Sequence, residues 1–307
     1  MASPVSVALL TDLLTGSIDE DHEPLRRALA EVGVVGELVA WDDPAATPAA
    51  VAACHGLVVI RSPWDYPRHA DRYLAALDAL AAAVPVCNEP ALVRWNIDKR
   101  YLADLAGAGI AVVATRFVGP DEDPVPVCRQ AAGAGQFVVK PTVSAGCRDT
   151  ARYRPEQVEQ AVAHVAALQA EGRAAMVQPY LHGVDAEGET ALVYLDGRFS
   201  HGLRKGPLLR LDAGFVTGLF AAEDMSEREP SAEQLALGDA VLAFISDRFG
   251  VPLYARIDLI DDAAGRPVVL EVELNEPSLF HTCVPASAAR FAAAIAARLR
   301  ERPGGPS

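Results

Sequence analysis

Short apolar runs alternate with segments of helical spacing over the first hundred residues. Val5–Leu10, Glu37–Trp41, Leu57–Ile60 and Val84–Cys87 read as strands, and Glu23–Val32 and Asp71–Ala82 as helices. Strand–helix alternation of this kind predicts a small parallel α/β domain. The pattern then changes. Asp98–Ala106 has helical spacing, and strands are predicted at Thr115–Val118, Gln136–Lys140, Ala151–Arg154 and Ala175–Gln178, with a helix over Pro155–Gln169. Two strands meet at Asp196-Gly197, a hairpin dipeptide. A polar loop to about Pro230, a helix at Ala232–Phe249, strands at Leu253–Ile260 and Pro267–Asn275, and a helix at Ala286–Arg300 complete the chain, with ERPGGPS as a frayed tail. Parallel α/β comes first and hairpin-rich α+β follows.

One strand breaks the apolar rule. In VLEVELNEPSLF (269–280), Glu271, Glu273 and Asn275 fall on one face between apolar neighbours. Adjacent carboxylates repel and are costly to bury without a cation. Either that face is wet or something positive sits on it. The preceding strand repeats the spacing with Arg256 and Asp258, so in register Asp258, Glu273 and Asn275 would converge as hard oxygen ligands suited to Mg²⁺. A solvated hairpin with paired surface charges fits the same spacing.

Three further stretches carry candidate chemistry. In GQFVVKPTVSAGC, Lys140 ends a strand and the small-residue loop Thr142–Gly146 follows, a place where backbone N–H groups can approach phosphate oxygens. It is neither a P-loop nor a dinucleotide fingerprint. Lys99 stands at a helix start, against the helix dipole, a conflict that an anionic ligand would remove. In VQPYLHGVDAEGET, Pro179 should interrupt pairing after Gln178 and leave backbone groups near Tyr180 and Leu181 free to read an adenine edge. Asp185 or Glu187 could then take ribose hydroxyls. Each stretch, alone, also fits an ordinary surface loop.

Composition narrows the partners. The 307 residues carry a net charge of −14, which disfavours nonspecific binding to nucleic acid or anionic membrane. The five cysteines are scattered with no CxxC pair, as expected for free thiols in a reducing cytoplasm. No signal peptide or membrane-spanning run is read.

Taken in order, these pieces resemble the ATP-grasp superfamily, the fold of glutathione synthetase and D-alanine–D-alanine ligase, over about residues 98 to 280. The resemblance implies an N-terminal α/β domain (1–97), a lid subdomain (98–179) and a C-terminal metal- and nucleotide-binding subdomain (180–307). It makes Lys99 and Lys140 the nucleotide lysines, Ser144-Ala145-Gly146 the phosphate lid, and Gln178, Pro179, Tyr180 and Leu181 the adenine hinge. Asp185 becomes the ribose acid, with Glu187 and Glu189 as competitors, and Lys205 a basic residue near the phosphates. Arg256, Asp258, Glu273 and Asn275 match the R-x-D…E-x-N pattern for phosphate and two Mg²⁺ ions, Glu271 competing with Glu273. The implied chemistry is ATP-dependent C–N ligation through an acylphosphate, with Arg256 and Lys140 as the catalytic cations.

The acceptor site is expected in the loop after the strand at 57–60, where Arg61, Ser62, Trp64 and Asp65 would wall an amino-acid-like small molecule, Arg61 pairing its carboxylate. A structural turn on Ser62-Pro63 is the other reading. The IRSPWDY, DGRFSHGLRKGP and LEVELNEPSLF stretches are similar to a bacterial ATP-grasp group that includes the O-ureido-serine cyclo-ligase of cycloserine biosynthesis. Intramolecular closure of O-ureido-D-serine, intermolecular amino-acid or peptide ligation, and a non-catalytic ATP-binding module all stay open at this point. A homodimer or homotetramer is the oligomer the resemblance implies.

Overall fold

The computed structural model describes residues 5–209 and 224–301. Most of the polar loop expected before Pro230 and nearly all of the C-terminal tail lie outside the described residues. The first sheet is parallel, with strands β1 (Val5–Thr11), β2 (Val34–Ala40), β3 (Leu57–Ser62) and β4 (Val86–Cys87) in the order β2-β1-β3-β4. The second is antiparallel: β5 (Arg116–Val118), β6 (Phe137–Pro141), β7 (Ala151–Tyr153) and β8 (Ala175–Pro179), in the order β5-β8-β6-β7. The third holds β9 (Glu189–Leu195), β10 (Arg198–Lys205), β11 (Met225–Glu227), β12 (Tyr254–Asp261) and β13 (Pro267–Glu273), in the order β11-β10-β9-β12-β13. The expected change from parallel α/β to antiparallel hairpins is therefore present. Asp196 and Gly197 both take positive φ, as a two-residue hairpin turn between β9 and β10 demands.

Several short elements had no legible signal. The helices Pro48–Cys54, Pro90–Asn96 and Pro124–Ala134 each begin at a proline, which reads as a breaker but suits a first helical turn. Thr47 and Asp123 cap two of them by accepting the N–H of Ala50 and Val125. The helix Gly183–Glu187 lies in what reads as loop.

The first and third sheets share a core. Val7, Leu9, Leu25 and Leu29 pack in one cluster with Val193, Tyr254, Phe291 and Ile295, so the helix Ala286–Arg300 joins the two sheets. Buried polar groups fix their relative placement. Asn88 donates to the carbonyls of Tyr254 and Leu274 and accepts from the N–H of Leu253. Such bonds have specific geometry, whereas apolar contact alone would tolerate sliding.

The second sheet has its own core, in which His164 (3% exposed) sits beside the Tyr153 hydroxyl at 3.0 Å. Burial pushes the His164 imidazole down to about 4. Between that value and an unfolded value near 6.5, only the unfolded chain takes the proton. Stability should therefore rise with pH across this window and be lost as pH falls through it, by up to roughly 3 kcal/mol. His164→Gln is expected to flatten the dependence of unfolding temperature on pH between about 4 and 6.5. An unchanged slope would refute the assignment.

Candidate active site

A cavity of about 690 Å³ opens where the second and third sheets face each other and the first domain closes one end. That size suits a small-molecule site. Its walls fall into three poles. The first is apolar, formed by Val113, Val138, Leu181, Ile260 and Leu270 with Tyr180. The middle is ionic, and the third lies against the first domain.

The ionic pole comes from the β12–β13 pair. Its register sets Asp258 opposite Glu271 and Arg256 opposite Glu273, not Asp258 opposite Glu273. Leu259 pairs with Val269, so Leu270 is an inserted residue, a bulge. Bulges re-aim side chains next to active sites, and here Leu270 and Glu271 both line the cavity. Sequence spacing assumes strict alternation and cannot see this.

The carboxylates are interleaved with cations. Lys99 Nζ lies 3.0 Å from Glu271 Oε1, and Lys140 Nζ lies 3.9 Å from Glu271 Oε2. Lys205 Nζ donates to Asp258 at 2.8 Å and stands 3.2 Å from Glu189. Arg256 forks onto Asp258 at 2.9 and 3.0 Å and also donates to Glu273. Burial would raise both Asp258 and Glu271, but Arg256 and Lys205 hold the first down to about 2, and Lys99 and Lys140 hold the second below its usual range. At Glu273 the balance reverses: burial, with the charges of Glu271, Asp258 and Glu276, outweighs Arg256 and pushes it up to about 8. Glu276 rises to about 7, chiefly by burial. Lys140 is lowered, first by burial and then by Lys99 beside it.

The expected site residues divide by position. Lys99, Lys140, Ser144, Gly146, Gln178, Pro179, Tyr180, Leu181, Lys205, Arg256 and Glu273 all line the cavity. Lys99 is not at the helix start as expected. The helix begins at Tyr101, and Lys99 is held ahead of it by its N–H to the Thr142 carbonyl and its ammonium to Ser144. Pro179 does not interrupt β8 either. It pairs with Phe137 on one side, while β5 has ended at the level of Val177 on the other, so the missing N–H costs no ladder bond.

Other expected residues stand away from the cavity wall. Asp258 (2% exposed) is enclosed by Arg256 and Lys205, and Asn275 is turned to the Tyr73 hydroxyl at 2.6 Å. Asp185 accepts from the Tyr180 hydroxyl and lies 3.5 Å from Arg152, and of the three acids weighed for ribose only Glu189 reaches the cavity. In the first domain Trp64 lines the cavity, its indole N–H on the Glu276 carbonyl. Arg61 does not. It is fully buried between the Tyr254 and Phe291 rings and donates to the Pro277 carbonyl, so it is not available to a substrate carboxylate. Ser62 is buried on Thr11 and His22, and Asp65 faces Arg68 and Arg148.

Some cavity residues had little or no signal. Glu189 is directly opposite Lys205 across the β9–β10 hairpin only because the register shifts between Phe199 and His201; counting out from the Asp196-Gly197 turn would set it opposite Arg204. Glu276, Phe280 and Thr282 line the third pole from a turn after β13, and Asp19, Glu20 and Asp21 reach it from the first domain. Nothing local marks these, because chain segments far apart in sequence assemble them.

The donor set fits Mg²⁺ by chemistry. The cavity offers hard carboxylate oxygens, and Mg²⁺ takes one or two of these and completes its shell with water and phosphate oxygens. Among the described residues no three His, Cys, Asp or Glu side chains converge on one point. Also among them, no helix is long and apolar enough to cross a membrane.

Comparison with known proteins places this arrangement. The N-terminal domain of D-cycloserine synthetase DcsG matches residues 7–88. The cycloserine biosynthesis protein DcsG of Streptomyces lavendulae is 37% identical over 301 residues, covering 96% of this chain and 99% of that protein. The crystal structure of D-cycloserine synthetase DcsG superposes with a TM-score of 0.87 at 37% identity, over 96% of this chain and 99% of that one. D-Alanine–D-alanine ligase from Bacillus anthracis, complexed with ATP, gives 0.68 at 12% identity over 96% and 97% of the two chains. The ATP-grasp ligase PsnB, complexed with its minimal precursor, Mg and ADP, gives 0.64 at 17% identity over 96% and 98%. The last two share the fold alone. The chain thus has the ATP-grasp fold, as the motif order implied. Within that class, the chain belongs to the D-cycloserine synthetase (DcsG) family.

Proposed function

We propose that this ligase activates the carboxyl group of O-ureido-D-serine with ATP and closes it to D-cycloserine. The match to DcsG over nearly the full length of both chains carries the reading, since it includes the first domain that forms the acceptor pole as well as the nucleotide poles. The apolar pole with Gln178–Leu181 takes the adenine, and Lys99, Lys140, Lys205 and the Ser144–Gly146 loop take the phosphates. Glu273 and Glu271 face the cavity as carboxylates for two Mg²⁺ ions, with Asp258 and Asn275 behind them. When bound, Mg²⁺ neutralises phosphate oxygens that would otherwise meet the carboxylates of this pole.

The chain's own residues then act by position and charge. Arg256, fixed by Asp258 and by the Ser278 carbonyl, faces the acylphosphate and the tetrahedral oxyanion. The nitrogen bonded to the side-chain oxygen attacks the acyl carbon and phosphate leaves, and one water then hydrolyses the carbamoyl cap from that nitrogen as CO2 and NH3. Trp64 and Phe280 shield the intermediate from water. The five free thiols fit a reducing cytoplasm.

The deciding experiment is phosphate release from Mg·ATP with O-ureido-D-serine, amino acids and dipeptides, with products identified by mass spectrometry. Release dependent on O-ureido-D-serine, with a cyclised product, would establish the reading. A linear condensed product from another amino acid would replace it with intermolecular ligation. Lys140→Ala should raise the nucleotide dissociation constant about 10- to 100-fold, because a buried point charge beside Glu271 is lost. An unchanged constant in calorimetry would remove Lys140 from the phosphate site.

A further inference from the structure

Asp21 occupies the N-cap position of the helix His22–Glu31, yet its carboxylate does not cap that helix. An N-cap aspartate ordinarily accepts from its own first turn. Here the carboxylate crosses to the turn after β13. Oδ2 accepts the N–H groups of Leu279 at 2.6 Å and Phe280 at 3.0 Å, and Oδ1 accepts that of His281 at 2.6 Å. Three consecutive backbone donors therefore close on one carboxylate that is 3% exposed. Behind it the Arg61 guanidinium stands 3.7 Å from Oδ2 and donates to the Pro277 carbonyl at 3.1 Å. The first domain thus grips this turn at four of its five successive backbone positions from Pro277 to His281, all but Ser278.

The grip sets a conformation the turn would not choose. Phe280 has φ of +55°, a left-handed backbone that a bulky residue adopts only when its surroundings impose it. That conformation puts the Phe280 ring 5.5 Å from the Arg256 guanidinium, while Arg256 Nη1 donates to the Ser278 carbonyl at 3.2 Å. Ser278 is the position in the turn that Asp21 and Arg61 leave ungripped, and it is the one that holds Arg256. We infer that Asp21, backed by Arg61, is a positioning residue that sets the acceptor pole by holding the 277–281 turn against Arg256.

This inference rests on the reading that Arg256 faces the reacting acyl group. A double-mutant cycle separates the two. Asp21→Asn places an amide N–H against backbone donors and should loosen the turn. In the otherwise native enzyme it is expected to lower kcat about 10- to 100-fold, to leave KM for ATP within about threefold, and to release more phosphate than product as the acylphosphate leaks to water. In an Arg256→Lys background the same change should lower kcat less than about twofold, since the contact it serves is already gone. Losses that multiply across the two sites, or activity that falls only with the folded fraction while phosphate and product stay equal, would overturn the inference. Full activity of Arg256→Lys alone would instead overturn the reading of Arg256. Should Asp21→Asn not fold, the cycle is run with Arg61→Lys, which keeps the carboxylate and weakens the hold on Pro277, with the same criteria.

Discussion

Glu273→Gln is expected to keep the fold and lower turnover about 100- to 1,000-fold, the scale of losing one preorganised electrostatic contact to a transferring group. Glu273 ends β13, lines the cavity and receives Arg256. The amide keeps the size and one hydrogen-bond acceptor, but it turns the second oxygen, which could ligate a cation, into an N–H donor and cannot ionise. Its effect on stability should run the other way. Burial and three neighbouring carboxylates already favour the neutral form of this group. The amide stands in for that form, so the unfolding temperature should hold or rise above neutral pH. Loss of turnover without loss of stability is the signature of a carboxylate kept for a cation. Steady-state kinetics and calorimetry on the purified variant check both halves. Native turnover in the folded variant would remove Glu273 from the metal role.

Arg256→Lys is expected to lower kcat about 100-fold while changing KM for ATP by no more than a few-fold. Charge is conserved, so a general electrostatic role would survive. What is lost is the planar fork, which at once holds Asp258 by two bonds, meets Glu273 and donates to the Ser278 carbonyl. A lysine cannot reproduce that geometry from one nitrogen. Single-turnover acylphosphate formation, followed by rapid quench, tells the chemical step from product release. A loss confined to KM for ATP would move Arg256 to nucleotide binding.

Much of the ionic pole of the cavity was legible because its residues are short-range neighbours. Arg256 and Asp258 are two apart on one strand, Glu271 and Glu273 two apart on the next, and strand alternation alone puts each pair on one face. Lys140 at the end of β6 and the small-residue loop after it are likewise local. Register was not legible. The bulge at Leu270 shifts Asp258 opposite Glu271, and no residue type announces a bulge there.

The acceptor side shows the other limit. Arg61 follows an apolar strand and reads as a substrate arginine, but its burial depends on Tyr254, Phe291 and Pro277, all about two hundred residues away in sequence. Asp21, which the sequence reading did not single out, stands at the N-cap of the helix His22–Glu31 and is drawn instead to the 279–281 turn. By itself the sequence determined the class of fold, the order of the motifs and the acidic strand that needs a cation, because these rest on periodicity and residue chemistry within a few positions. Which carboxylates face the cavity, which arginine lines it and which one is buried against the Pro277 carbonyl were decided only in the tertiary structure. Those choices depend on register and on contacts between distant segments, which no local pattern encodes.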